Sequence, residues 1–202
     1  MRIVEIHKSI PEPEAATRLS SQARLSNVVG GEWVIWEVAI EHPEWYVRGI
    51  YANFVTPVAD WSDVIDLNYD MPGLWDYMID AMKFWVEEVD VDGFRCDVAG
   101  MVPLDFWNRV RFELDKIKPV FMLAEWESPE PHEKAFDMTC GWELYKLMNR
   151  LAKGVGPAID IVSYLERDAR TYPGDAYRMY FTSSHDENSW DGTIFWRLTR
   201  TS

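Results

Sequence analysis

Three acidic side chains close short apolar segments at regular intervals. Asp97 ends Gly93-Phe94-Arg95-Cys96-Asp97, Glu125 ends Leu123-Ala124-Glu125, and Asp186 ends Ser184-His185-Asp186. Asp97 and Glu125 are 28 residues apart, and Glu125 and Asp186 are 61 apart. Eight βα units closing a barrel of about 250 residues use roughly 31 residues each. The acids therefore fall one unit apart and then about two. In βα folds the C-terminal ends of parallel strands carry the chemistry, so three acids from three strand ends point to a carboxylate-based site.

Side chains two apart on a strand share a face, which puts Arg95 beside Asp97 and turns Phe94 and Cys96 the other way. An arginine next to an aspartate keeps it ionised and fixes its rotamer, as a nucleophile requires. Glu125 ends a run of Val, Phe, Met, Leu and Ala, and apolar surroundings favour the protonated carboxyl of a general acid. One ionised and one protonated carboxyl, about 5–5.5 Å apart, are what a retaining glycosidase uses. Asp186 supplies a third charge, suited to a developing oxocarbenium ion. Each feature has a plainer reading. Arg95–Asp97 serves equally as a structural ion pair, and Glu125 as a cap at a strand–helix turn. His185-Asp186-Glu187 reads also as a solvated acidic loop or a weak metal site, although metal sites want more His or Cys at ligand spacing.

The elements that must hold these residues alternate. A short strand over Arg2–Ile6 and another over Trp33–Val38, after the Gly30-Gly31 turn, are expected in a poorly patterned first third. Asp70 is expected to cap a helix with Pro72 in its first turn and Trp75, Met78, Ile79, Met82, Trp85, Val86 and Val89 at helical spacing. A strand follows over Gly93–Val98. Pro103 then opens a helix, and a strand covers Val120–Glu125. Phe136–Thr139 reads as a strand, Trp142–Leu151 as a helix stopped by Gly154, and Ala158–Ala169 as a further helix. Tyr177–Thr182 is the last strand. This order predicts an α/β fold with a parallel sheet and right-handed crossovers.

Composition narrows the function. The 202 residues are 48% hydrophobic, enough for one sizeable core. The net charge of −14 argues against nucleic acid or an anionic membrane surface as partner. Two cysteines, Cys96 and Cys140, make no disulfide framework. No apolar run approaches the ~18 residues of a membrane span. Residues 1–10 carry Glu5, His7 and Lys8 without an apolar stretch, so the chain as expressed is expected to be cytoplasmic. Eleven tryptophans suit either core packing or stacking faces for sugar rings, with core the commoner use.

The same residues resemble a known family. Gly93-Phe94-Arg95-Cys96-Asp97-Val98-Ala99 resembles the second signature region of the α-amylase family, glycoside hydrolase family thirteen. Ala124-Glu125 resembles its third region and Ser184-His185-Asp186 its fourth. Asp66-Leu67-Asn68-Tyr69 and the following helix resemble the lead-in to its fourth barrel strand. The similarity covers roughly residues 41–198. It implies a partial (β/α)₈ barrel carrying strands four to seven, truncated at its C-terminal end and preceded by one or two N-terminal strands. Residues 1–40 form an atypical segment and residues 41–202 the barrel part. By this resemblance Asp97 is the nucleophile, Glu125 the acid/base and Asp186 the transition-state stabiliser. Arg95 orients Asp97, and His185 binds a sugar hydroxyl. The implied activity is retaining hydrolysis of an α-1,4-linked glucan or malto-oligosaccharide.

Two departures stand out. The family's first region carries an Asp and then an Asn-His pair, but residues 33–40, ahead of His42-Pro43-Glu44-Trp45-Tyr46, contain no Asn-His. The missing His would touch the sugar and the missing Asn often helps to hold calcium, so no cofactor is expected. Ser184 stands where the family usually has Asn. Weak or absent hydrolysis follows, and the alternative is a non-catalytic half-barrel that binds glucan or self-assembles. A parallel sheet without the rest of its barrel exposes two edges and an inner face, so a homodimer is expected.

Overall fold

A computed structural model describes residues 38, 41–51, 53–59, 65–190 and 192–193, together with the backbone of residues 3–6. The chain divides into two compact units, Met1–Met122 and Leu123–Ser202, and the division falls inside a strand.

In the first unit β1 (Ile3–Ile6) runs parallel to β2 (Gly93–Cys96), with Ile3 beside Gly93 and Ile6 beside Cys96. β3 (Phe121–Ala124) starts alongside β2, where the Phe121 N–H donates to the Asp92 carbonyl at 2.8 Å. Two helices precede and follow β2: α1 (Pro72–Glu87) and α2 (Leu104–Asp115). On α1 Met78, Ile79, Met82 and Val86 of the expected stripe are buried together with Leu74 and Ala81, whereas Trp75 and Trp85 are only partly buried and Val89 lies past the helix end. The cap is not Asp70. Pro72 occupies the first helical position and holds Met71 in extended backbone (φ −92°, ψ 110°), so the N-cap moves to Met71. The Asp70 N–H instead donates to Asn68 Oδ1 at 3.2 Å.

Phe106 of α2 is wholly buried and anchors this unit's core. Tyr69, Trp75 and Trp107 meet its ring edge-on, with centroids 5.4, 5.6 and 5.0 Å away. Quadrupoles of aromatic rings favour that geometry. These two tryptophans are packing residues, the plainer of the two uses weighed for them. The strand expected over Trp33–Val38 lies outside the described residues apart from Val38. There the geometry is helical, and the Val38 carbonyl accepts the His42 N–H at 2.8 Å.

In the second unit the end of β3 runs parallel to β4 (Met138–Cys140), and β4 parallel to β5 (Tyr177–Met179). Thr139 sits beside Ala124 on one side and Arg178 on the other. α3 (Trp142–Ala152) and α4 (Ile159–Thr171) connect β4 to β5, and α5 (His185–Trp190) follows. Gly154 ends the α3 segment at φ 76°, a left-handed position that glycine takes without strain. Leu144 and Tyr145 of α3 and Tyr164 of α4 supply the helix side of the core. Parallel strands alternating with helices are what the sequence predicts, in both units. Among the described residues no helix is long and apolar enough to cross a membrane.

Candidate active site

Asp97 leaves β2 one residue past its last ladder position. Phe94 and Cys96 are fully buried on one face of the strand. On the other, Arg95 Nη1 donates to Asp97 Oδ1 at 3.0 Å, with both side chains only partly accessible. Alternation along β2 thus produces the pair that the spacing predicts. β2 is shorter than the expected Gly93–Val98, because Val98 adopts left-handed backbone (φ 44°, ψ 43°) and starts a 3₁₀ turn at Ala99–Met101. For a β-branched residue that conformation is costly. The turn is pinned by the indole of Trp107, which donates to the Ala99 carbonyl at 2.9 Å. Burial pushes the Cys96 thiol pKa well above its ordinary value, so Cys96 is an inert core thiol.

In the second unit Glu125 follows directly on Ala124, whose side chain is wholly buried. Glu125 itself is half-buried. The next carbonyl, Trp126 O, accepts the Cys140 N–H at 3.0 Å and keeps this turn against the end of β4. His185 and Asp186 form the first turn of α5, with His185 Nε2 3.4 Å from Asp186 Oδ2 and both side chains exposed. Ser184 caps that helix: its Oγ accepts the Glu187 N–H at 3.2 Å, and its carbonyl accepts the Asn188 N–H at 3.0 Å. β5 stops at Met179 rather than Thr182. Beyond it the chain is held by side chains, the Phe181 ring stacking on Tyr145 at 5.2 Å and lying edge-on to Trp142 at 5.7 Å. Because β3, β4 and β5 are parallel, Glu125 and the segment leading to Asp186 leave the same edge of this unit.

The second unit also holds a polar cluster that the sequence expectations do not contain. Arg178, at the centre of β5, is 6% exposed. Its Nε donates to Asp168 Oδ1 at 3.1 Å, its Nη2 to Glu127 Oε1 at 3.1 Å, and its Nη1 to Thr139 Oγ1. The guanidinium lies 3.7 Å from the Tyr172 ring centroid. Burial disfavours its charge, but bonds and charges from Tyr164, Tyr172 and Asp168 outweigh that and raise the pKa. Burial also raises the Glu127 carboxyl pKa, against the lowering effects of the Glu143 N–H and Arg178, and burial chiefly lifts Tyr172 to about 12. A signal was present: a charged residue in the middle of a strand between apolar neighbours needs buried partners.

Thr139, fully buried, accepts from Arg178, and its hydroxyl is also hydrogen-bonded to His132 Nε2 at 2.9 Å. Burial, reinforced by the Arg178 charge, lowers the His132 pKa below its usual 6.5. The neutral ring is therefore the native form. A depressed histidine contributes stability that is whole above about pH 6.5 and lost as pH falls through the native pKa. Glu127, with a raised pKa, acts in the opposite sense. Comparison with His132→Gln cancels that term: the unfolding midpoint of the unchanged chain should drop relative to the variant between about pH 7 and 5. Circular-dichroism melts check this, and a constant difference across that range would remove His132 from the linkage.

Among the described residues, no three His, Cys, Asp or Glu side chains gather closely enough to hold a metal ion.

Comparison with known proteins places the chain in a family. Residues 35–186 match the family described as alpha amylase, catalytic domain. The chain belongs to the α-amylase family, and its fold is part of that family's (β/α)₈ barrel. It is similar to a noncanonic maltogenic α-amylase from Thermotoga neapolitana, with 38% identity and a TM-score of 0.69 over 74% of this chain and 35% of that one. An α-amylase from Lactobacillus plantarum matches at 29% identity and a TM-score of 0.70, over 92% of this chain and 43% of that one. The α-amylase MalA of Haloarcula japonica is 29% identical over 160 residues, 77% of this chain and 22% of the relative. The chain thus spans about a fifth of the length of that curated relative and well under half of the solved ones.

Proposed function

We propose that this chain carries the acid constellation of a retaining α-glucan hydrolase. Asp97 attacks the anomeric carbon while Glu125 passes its proton to the glycosidic oxygen, and the glycosidic bond breaks to leave a glycosyl ester on Asp97. Glu125, now a carboxylate, takes a proton from water, whose oxygen displaces Asp97 and restores both groups. Arg95 orients Asp97 through its 3.0 Å bond to Oδ1. Asp186 faces the positive charge of the oxocarbenium-like transition state, and His185 donates to a sugar hydroxyl. An α-1,4-linked glucan or malto-oligosaccharide is the substrate, in keeping with relatives named as maltogenic and other α-amylases.

The observation that carries this reading is the Arg95–Asp97 pair at the end of β2, matched by Glu125 directly at the end of β3. Turnover is slow in this reading. Removing one positioning or charge-stabilising group commonly costs about 10²–10³ in rate. Here the Asn-His pair of the first region is missing and Ser184 replaces an Asn. Reducing-sugar release from soluble starch is the test. Slow release that needs Asp97 supports the reading, and release unaffected by Asp97→Asn overturns it.

One observation favours a second reading, a half-barrel that pairs with another copy. Ile159, Val162 and Leu165, three residues apart along α4, are 60%, 47% and 42% exposed. A two-fold pair covering this stripe would scatter light at twice the 23.6 kDa chain mass. A monomer across a wide concentration range would refute it.

A further inference from the structure

We propose that Glu127 is a positioning residue for Glu125, acting as a strut between the turn that carries Glu125 and the buried Arg178–Asp168 hub. The inference rests on the reading of Glu125 as the proton donor. It concerns a residue that the mechanism above does not use.

Glu127 lies two residues past Glu125, and both of its carboxylate oxygens are engaged. Oε1 accepts Arg178 Nη2 at 3.1 Å, and Oε2 accepts the Glu143 N–H, in the first turn of α3, at 3.0 Å. A carboxylate at that end of a helix also meets the favourable side of its dipole. The hub behind it is rigid for a physical reason. Asp168 is 8% exposed, and its oxygens accept Tyr164 Oη at 2.9 Å, Arg178 Nε at 3.1 Å and Tyr180 Oη at 3.2 Å. A guanidinium presents a planar fork of donors. With Asp168, Thr139 and Glu127 each taking one of its nitrogens, its rotamer is determined from three directions. The turn at 125–127 is thus tied twice: by backbone at Trp126 O to β4, and by side chain at Glu127 to β5 and α3. Tyr180 extends the same hub to the segment leading to Asp186. A general acid must reach its leaving oxygen within hydrogen-bond distance, so a turn free to swing would lose proton transfer first.

Two variants of the full chain test this. Glu127→Ala removes the strut, whereas Glu127→Gln keeps an oxygen for Arg178 but sets its NH₂ against the Glu143 N–H, so that one of the two ties remains. The first readout is amide hydrogen exchange, which needs no turnover. Glu127→Ala should exchange about 10-fold faster or more at residues 125–128, with β4 and β5 protection unchanged and Glu127→Gln between Glu127→Ala and the unchanged chain. The second readout compares a maltotrioside bearing a good leaving group, dinitrophenolate, with one bearing a poor leaving group, an alkoxide. A poorly placed acid should slow the poor leaving group by about 10²-fold and the good one by far less. Unchanged exchange at 125–128, or exchange accelerated throughout residues 123–190, overturns the proposal, as does an equal loss on both substrates. If the unchanged chain cleaves neither substrate, the hydrolase reading fails, and hydrogen exchange still decides whether Glu127 is the strut.

Discussion

Starch hydrolysis by the Glu125→Gln chain should fall about 10²–10⁴-fold below that of the unchanged chain, the range that a positioned general acid contributes. Glutamine matches the size of glutamate and keeps a carbonyl oxygen, so the turn after β3 has no steric reason to move. What it loses is the proton: a carboxamide does not protonate a departing sugar oxygen near neutral pH. Glu125 is half-buried and follows the wholly buried Ala124. Because the unchanged chain is itself expected to be slow, reducing-sugar release must be followed long enough to resolve its rate. Equal circular-dichroism spectra and melts show that the comparison is one of chemistry. Turnover that survives the substitution would assign the cleavage to another acid or to a contaminating enzyme.

Gly93→Ala should abolish the cooperative fold of the first unit. A Cβ built on Gly93 meets the Phe121 carbonyl oxygen at 2.0 Å, its carbon at 2.8 Å and the Phe121 Cα at 3.0 Å. All three are backbone atoms of β3, so no side-chain rotation relieves the clash. The strands would have to separate where the Phe121 N–H donates to Asp92 O, and Gly93 also sets the register with Ile3 of β1. Overpacking that side chains can absorb costs about 1–3 kcal/mol. A backbone clash between adjacent strands exceeds that and takes a large share of the roughly 5–15 kcal/mol that holds a domain together. The expected result is loss of the sigmoidal melt in circular dichroism and a shallow denaturant transition. A midpoint within about 2 °C of the unchanged chain would mean that β2 and β3 are not packed at this distance.

These two residues show how far the sequence carries. Gly93 and Glu125 both lie in segments whose strand character is legible from apolar runs and turns. The glycine's necessity is not legible, because it depends on an atom 28 positions away in the chain. The helix over Pro72–Glu87 is legible from its apolar spacing, but its cap falls one residue later than Asp70, at Met71, because the proline restricts Met71 more strongly than the Asp70 side chain attracts the helix. At β5 a run of apolar and aromatic residues predicts a strand to Thr182. Tyr180 and Phe181 are instead drawn to Asp168 and Tyr145, and the ladder ends at Met179.

The sequence by itself determined what depends on local periodicity: the order of strands and helices, the shared face of Arg95 and Asp97, and the places of Asp97 and Glu125 directly after β2 and β3, whereas Asp186 lies in the first turn of α5, seven residues past the end of β5. A period of two or 3.6 residues is a property of neighbouring positions. Tertiary structure alone decided which charges are buried together. Arg178 finds Thr139 and Glu127 at sequence separations of 39 and 51. No local pattern encodes such distances, since they arise only when β3, β4 and β5 lie side by side and withdraw the guanidinium from water. Once there, Arg178 must be neutralised and hydrogen-bonded, and this requirement makes Asp168, Thr139 and Glu127 into one structure.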